Sequence, residues 1–231
     1  MRLRRTSICI STLALGLAGS ACAQGTVYVS SEKDDALTMI DLATLSIKGT
    51  IPTCKRGRHL QLAPDGKLML ACSDSGVADV IDPATGKSVR RIPLGAEPEA
   101  FDISPDGKTI YVSSEDDAAA VFIDAATGKK RKEVKVGQEP EGVKVSADGK
   151  LLYVTSEVAS LVHAIDTASG KIVKNISVGK RAWNVALDKS EKRLFVVNGL
   201  SDDLTVVDVP GAKPIKTVPV GRVPYGVVVV E

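Results

Sequence analysis

Aromatic side chains are scarce in this chain of 231 residues, which holds one Trp, four Tyr and three Phe. A sugar-processing cleft normally stacks its substrate on such rings, so that class starts at a disadvantage. Cysteine is rare as well: of four, Cys9 and Cys22 fall in the first 23 residues, leaving Cys54 and Cys72. No apolar run reaches the roughly 20 residues that a membrane-spanning helix needs. Charge of one sign is also missing, with 30 Lys and Arg against 28 Asp and Glu. That balance argues against nucleic acid or an anionic membrane as partner. There is no Gly-x-Ser-x-Gly elbow, no His-Glu-x-x-His, no phosphate loop and no Asp-x-Asp-x-Asp-Gly calcium loop. The common signatures of hydrolases, metalloproteases and nucleotide enzymes are therefore absent.

What is present begins with a leader. Arg2, Arg4 and Arg5 precede a mostly apolar stretch from Ile8 to Ala18, and Ala21-Cys22-Ala23 fits the small-x-small rule of signal peptidase. A signal peptide over 1–23 and a start at Gln24 are expected, and with them a periplasmic or secreted location. The alternative is a lipoprotein anchored through Cys22, against which Gly19 stands where such signals usually carry Leu. The leader holds three Arg and no acid, so the remainder carries 27 bases against 28 acids. Residues 24–231 suffice for one domain with a core of its own.

That domain is a repeat. Asp41, Asp82, Asp124, Asp166 and Asp208 recur at spacings of 41, 42, 42 and 42 residues, and Tyr28, Leu70, Tyr111, Tyr153 and Phe195 align ahead of them. A period near 42 with Val, Ile and Tyr runs between Pro-Asp-Gly and Ala-Thr-Gly turns is the pattern of a propeller or related array. Each unit reads as four antiparallel strands, in the third copy Glu99–Ser104, Thr109–Ser114, Ala119–Asp124 and Lys130–Val136. Runs such as Ala119-Ala120-Val121-Phe122-Ile123 lack strict alternation, as suits sheets covered on both faces. The chain opens with the last three strands of a unit, Thr26 to Pro52, and stops after the first strand of another, Tyr225 to Glu231. The fragments complete one blade. The fold expected is all-β, a five-bladed β-propeller of four-stranded antiparallel blades, closed by pairing the C-terminal strand with Thr26–Ser31.

Tyr111-Val112-Ser113-Ser114, Tyr153-Val154-Thr155-Ser156, Val136-Gly137 and Val220-Gly221 resemble the YVTN family of β-propeller repeats, over about Thr26 to Glu231. Ser156-Glu157, Leu161 to Asp166 and Lys180-Arg181-Ala182-Trp183 are similar to exported propellers associated with PQQ-dependent alcohol catabolism. The resemblance implies seven repeats, of which five are present here, and it supplies no catalytic residues. It leaves PQQ open as a ligand and a redox or dehydrogenase protein open as a partner.

Comparison of the five copies separates two faces. Loops from first to second strand and from third to fourth are nearly constant, as in Pro105-Asp106-Gly107-Lys108 and Asp82-Pro83-Ala84-Thr85-Gly86. Their Asp residues read as turn formers bonding their own backbone. The loops entering each first strand vary: Lys55-Arg56-Gly57-Arg58, Ala96-Glu97-Pro98-Glu99, Gln138-Glu139-Pro140-Glu141, Lys180-Arg181-Ala182-Trp183 and Arg222-Val223-Pro224-Tyr225. Around a ring these place an acidic arc on two blades and a basic arc on the other three, and such fields steer partners. The candidate ligand-binding residues at this channel mouth are Arg58, Glu99, Glu141, Arg181, Trp183 and Tyr225. Arg supplies a planar fork for carboxylates, Glu supplies acceptors, and Trp and Tyr supply flat apolar contact.

Cys54 and Cys72 come to one corner if strand 58–63 pairs with 68–73, and either a disulfide or two free thiols fits. The same pairing sets His59 opposite Cys72, making Cys54, His59 and Cys72 the candidate metal ligands, without an identified fourth. His163 reads as a packed, hydrogen-bonded histidine between blades. The functional reading is an exported, monomeric, non-catalytic propeller that binds a small molecule or a periplasmic protein and holds no cofactor. A metal ion and PQQ are the cofactors left open. The alternative is a lactonase-like hydrolase on the same scaffold, by analogy of fold, or glycoside chemistry between Glu99 and Glu141.

Overall fold

The computed structural model describes residues 25–63, 65–75, 77–93, 101–115, 117–124 and 126–231. The leader, Cys22 and Glu99 lie outside these residues. Among the described residues twenty strands make five four-stranded sheets. Blade 1 contains β1 Thr26–Ser31, β2 Ala36–Asp41 and β3 Ile47–Pro52; blade 2 contains β4 Gly57–Leu62, β5 Leu68–Cys72, β6 Val77–Asp82 and β7 Lys87–Pro93. Blade 3 is β8 Phe101–Ile103, β9 Thr109–Ser114, β10 Ala119–Asp124 and β11 Lys130–Lys135. Blade 4 is β12 Pro140–Val145, β13 Leu151–Ser156, β14 Leu161–Asp166 and β15 Ile172–Ser177. Blade 5 is β16 Ala182–Leu187, β17 Arg193–Asn198, β18 Asp203–Asp208 and β19 Lys213–Pro219, and β20 Pro224–Val230 follows. Strand β20 joins blade 1 as its innermost strand, pairing antiparallel with β1 from Thr26↔Val230 to Ser31↔Pro224. The ring is closed by the two ends of the repeat array, as the terminal fragments require.

The continuous apolar runs are explained by lateral packing. Val27 and Val29 of β1 face blade 5 and pack with Phe195, Val197 and Leu204. Tyr28, between them in sequence, faces the other way and packs with Leu60, Leu68 and Leu70 of blade 2. Each apolar side chain so buried contributes about 1.5–3 kcal/mol, and both faces of the strand collect it. Equivalent clusters join blades 3 and 4 around Tyr111 and Phe122, and blades 4 and 5 around Tyr153 and Leu194. Among the described residues no such cluster joins blades 2 and 3, and Phe101 and Ile103 of β8 are 54% and 45% exposed.

One alignment of the copies is corrected. Tyr28, Tyr111 and Tyr153 stand opposite Met39, Phe122 and Ala164, two residues before the repeated Asp. In blade 2 that place is held by Met69, opposite Val80, and not by Leu70. A one-residue slip reverses every side chain of a strand, so Leu70 faces blade 1 and is fully buried there. Among the described residues no helix is long and apolar enough to cross a membrane.

Candidate functional site

On the constant face the carboxylates are occupied by their own turns. Asp124 Oδ1 accepts the Thr127 amide at 2.7 Å, and Asp148 Oδ1 accepts the Lys150 amide at 3.0 Å. Those backbone bonds, helped by neighbouring hydroxyls and cations, hold both carboxyls down at about 2. A cavity of about 460 Å³ opens on this face between blades 3 and 4. Its polar groups are already engaged: Lys132 Nζ donates to the carbonyls of Thr167 (3.1 Å) and Ala168 (2.7 Å) and lies over the Phe122 ring. It is a groove between two blades with both its cations committed, since Arg131 pairs with Asp124.

The varied face is built from one local device used repeatedly. Arg56, Glu139, Arg181 and Val223 hold the same position in four blades, and all have left-handed backbone, φ 53°, 51°, 58° and 53°. For a β-branched residue such as Val223 that conformation is strained and needs the surrounding structure to impose it. The imposing contact is a bond from the loop after the second strand: the amides of Glu32, Glu157 and Gly199 donate to the carbonyls of Val223, Glu139 and Arg181. After this residue the innermost strands of these four blades bulge against their neighbours, with shifts between Gly57 and Leu60, Pro140 and Val143, Ala182 and Asn184, and, on the β1 side, Val29 and Ser31. A bulge re-aims the extra side chain, and the residues so aimed are Arg58, Glu141, Trp183 and Tyr225.

Neighbouring blades fix these residues by hydroxyls. Ser30 Oγ accepts the Gly226 amide (2.8 Å) and donates to the carbonyl of Arg58 in the next blade (2.6 Å). Thr155 Oγ1 accepts the Gly142 amide (2.7 Å) and reaches the Trp183 carbonyl (3.5 Å), while Ser113 donates to the Glu141 carbonyl. The side chains then meet over the channel. The Arg58 guanidinium lies 4.3 Å from the centre of the Tyr225 ring, and the Trp183 and Tyr225 rings are 5.4 Å apart. Tyr225 Oη approaches Glu141 Oε2 at 3.5 Å. Trp183 Nε1 donates to Glu157 Oε2 (2.7 Å), whose other oxygen pairs with Arg181 Nε (2.7 Å). Arg58 Nε pairs with Glu32 Oε1 at 2.7 Å. Burial alone would lower the Arg58 pKa, but Tyr225, Glu32 and Glu141 together hold it above the usual value. Burial pushes the Glu157 carboxyl up, against the opposing pull of Trp183 and Arg181.

Arg58, Glu141, Trp183 and Tyr225 are thus brought into one cluster and Arg181 joins it through Glu157. The expected basic arc is largely compensated: Arg58, Arg181 and Arg222 pair with Glu32, Glu157 and Asp34. Sequence reading missed Glu32 and Glu157 as partners, and Ser30, Ser113 and Thr155 as supports. The signal was there, because Glu32, Glu115 and Glu157 follow the same Tyr-Val-Ser-Ser or Tyr-Val-Thr-Ser run in three copies.

Below the cluster His59 and Asn184 meet across the channel, Nδ1 to Nδ2 at 3.4 Å. Asn184 Oδ1 accepts the Val185 amide (2.8 Å), which turns the amide nitrogen to the ring. Asn184 Nδ2 thus faces His59 Nδ1, and burial lowers the His59 pKa from its usual value. Beneath lies a cavity of about 290 Å³ lined by apolar residues with Gln61 and the Lys144–Asp102 ion pair (3.0 Å).

The proposed metal corner needs correction. The bulge at Arg58 and His59 makes Gly57 the partner of Cys72, so His59 turns into the channel and away from the cysteines. Cys54 and Cys72 are joined as a disulfide, Cα–Cα 5.9 Å. His163 is buried, with Nδ1 2.7 Å from Asn175 Oδ1.

The family described as outer membrane protein assembly factor BamB matches residues 21–176. No curated protein matches the sequence. Among solved structures, a protein from Lactobacillus plantarum aligns over 89% of this chain and 71% of its own, at 19% identity and TM-score 0.50. A functionally unknown protein from Desulfotomaculum acetoxidans aligns over 89% and 75%, also at 19% identity and 0.50. Hydrazine synthase from Kuenenia stuttgartiensis aligns over 87% and 85% at 18% identity and 0.41. At these identities the likeness concerns the fold alone.

Proposed function

Because this chain belongs to the family of β-propeller repeat proteins described as outer membrane protein assembly factor BamB, we propose that it is a non-catalytic scaffold that docks a protein partner on its varied face. The observation that carries this reading is the Arg58–Tyr225–Trp183 stack. Trp, Tyr and Arg are the residues that dominate binding energy at protein interfaces, where a packed aromatic centre excludes water and a polar rim surrounds it. The loop tips beside the stack carry Val158 and Leu200, 58% and 64% exposed, and the ion-paired Arg181 and Arg222 stand at the rim. An assembly role, which the family description names, is consistent with such a surface. Export with loss of 1–23 belongs to the same reading, and the similarity to propellers of PQQ-dependent alcohol catabolism makes a quinoprotein dehydrogenase the first partner to try.

Calorimetric titration of the protein lacking residues 1–23 with such a dehydrogenase tests the idea. Trp183→Ala or Arg58→Ala is expected to weaken binding at least tenfold, in line with hot-spot losses of about 2 kcal/mol or more. Asp106→Ala on the constant face leaves binding unchanged. Equal affinity for Trp183→Ala and the parent protein overturns the reading. Turnover of a lactone or glycoside that disappears with Glu141→Gln replaces it by the hydrolase reading. A small molecule is the second ligand class, favoured by the channel cavity that His59 and Asn184 help to line.

A further inference from the structure

Where one blade ends and the next begins, the same three positions meet. The residue closing the fourth strand lies against the last residue of the next blade's second strand and the middle residue of its third. A Cβ added at Gly137 would meet Ser156 Oγ and, at 3.6 Å, His163 Nε2. One added at Gly179 would meet Asn198, whose Nδ2 donates to Thr205 Oγ1 (2.9 Å). Gly221 meets Ser31 in the same way. In blade 2 all three positions change together, to Cys54, Cys72 and Asp79. The two sulfurs and a carboxylate oxygen lie within 4.8 Å of one another, the one such group of potential metal ligands among the described residues.

Asp79 is the informative member. It is 2% exposed at the middle of β6, where other blades carry Thr38, Val121, His163 or Thr205. Its partners are the Ser88 hydroxyl and, at 3.9 Å, the Arg91 guanidinium, itself 65% exposed. A carboxylate taken out of water needs close compensation, and a disulfide carries no charge to give it. A cation bound between the sulfurs and Asp79 supplies that compensation.

We propose that Cys54, Cys72 and Asp79 form a thiol-gated site for a thiophilic divalent cation of the zinc class. In the oxidised protein the sulfurs are bonded to each other and the site is shut. A dithiol or phosphine reductant delivers two electrons, and with two protons from solvent the disulfide becomes two thiols, the reductant leaving oxidised. On binding, the cation displaces both thiol protons to solvent and is held by two thiolates and one carboxylate, with water in the fourth position. That set matches zinc, which takes Cys sulfur at about 2.3 Å and carboxylate oxygen at about 2.0–2.2 Å in four-coordinate geometry. Cys54, half-buried in the loop that leads to Arg56 and Arg58, leaves the open position on the varied face.

Metal-free protein lacking residues 1–23 is titrated with zinc against a colorimetric chelator, before and after phosphine treatment. The expected result is one zinc per chain after reduction and none before. Asp79→Asn lowers the affinity of reduced protein at least tenfold, and Cys54→Ser abolishes binding. Circular dichroism melts of reduced parent and reduced Asp79→Asn check that both remain folded. The proposal is overturned if reduced protein takes up no zinc, if oxidised protein binds it equally, or if Asp79→Asn binds as the parent does. Unfolding of the parent on reduction alone also overturns it, since the ligands are then no longer held together.

Discussion

Glu157 is a carboxylate placed where burial opposes its charge. Its side chain is 6% exposed, held by the Trp183 indole and the Arg181 guanidinium, yet the net push on its pKa is upward from 4.5. A raised acid binds more protons in the native chain than in the unfolded one, between the unfolded value and the folded value. Stability therefore falls as pH rises through that window and does not recover above it. Gln in its place keeps an acceptor for the indole and cannot ionise. Thermal melts from pH 4 to 8 are expected to show Glu157→Gln losing less stability than the parent as pH rises from about 4.5. A parallel pH dependence in both proteins contradicts the assignment. The sequence could not single out Glu157 as a buried acid, because its environment is made by Trp183, 26 residues away in the next blade.

At the scale of the element, the innermost strands come so close at the channel that one position in each is constrained. His59, Gly142, Asn184 and Gly226 occupy that level in four blades, and two are glycine. A Cβ on Gly226 would stand 2.5 Å from the Arg58 carbonyl and 2.7 Å from the Leu60 amide, both backbone atoms that cannot swing aside. Gly226→Ala is expected to cost about 1–3 kcal/mol and to lower the melting temperature by about 2–10 °C. A melt unchanged from the parent shows that the strands can separate at this level. Strands were the most legible feature, since Val-rich runs between Asp-Gly turns fix their existence: Thr109–Ser114 and Ala119–Asp124 have the bounds that the turns imply. The bulges were not legible. One extra residue in β4 leaves no mark in the pattern of Gly57-Arg58-His59-Leu60, yet it separates His59 from Cys72. In blade 2 the turn between first and second strands is one residue shorter, Ala63 to Lys67 against Ser104 to Thr109 in blade 3, so Met69 and not Leu70 holds the place of Tyr111.

The whole molecule is held by closure. Blade 1 has three strands from one end of the repeat array and its innermost strand from the other, and this was readable because the two fragments were complementary in kind. Without β20, Val27 and Val29 lose Val227 from their cluster, and the edge of β1 is left unpaired toward the channel. Removal of residues 224–231 is expected to leave protein without a cooperative melt. A truncated chain that melts cooperatively near the parent temperature shows that the other junctions suffice. What lay beyond the sequence at this scale is the unevenness of the ring: among the described residues four junctions are packed with apolar side chains, while Phe101 and Ile103 stand exposed beside the remaining one.

The pairing Thr26↔Val230 also separates the order of the chain from the order of the ring. Residues about 200 apart in sequence are direct neighbours across a ladder of blade 1, so a short peptide can join them without disturbing that blade. The chain can then be reopened in the constant-face turn after β10, at Gly128-Lys129, where nothing would crowd even an added Cβ on the glycine. Such a circular permutant carries its seam in blade 3, and blade 1 becomes continuous. It is expected to give the same circular dichroism as the parent and the same affinity at the Arg58–Tyr225–Trp183 cluster, because no contact there depends on which blade holds the chain ends. A permutant that folds but melts well below the parent would mean that the position of the seam matters, and that blade 1 is the blade best able to carry it.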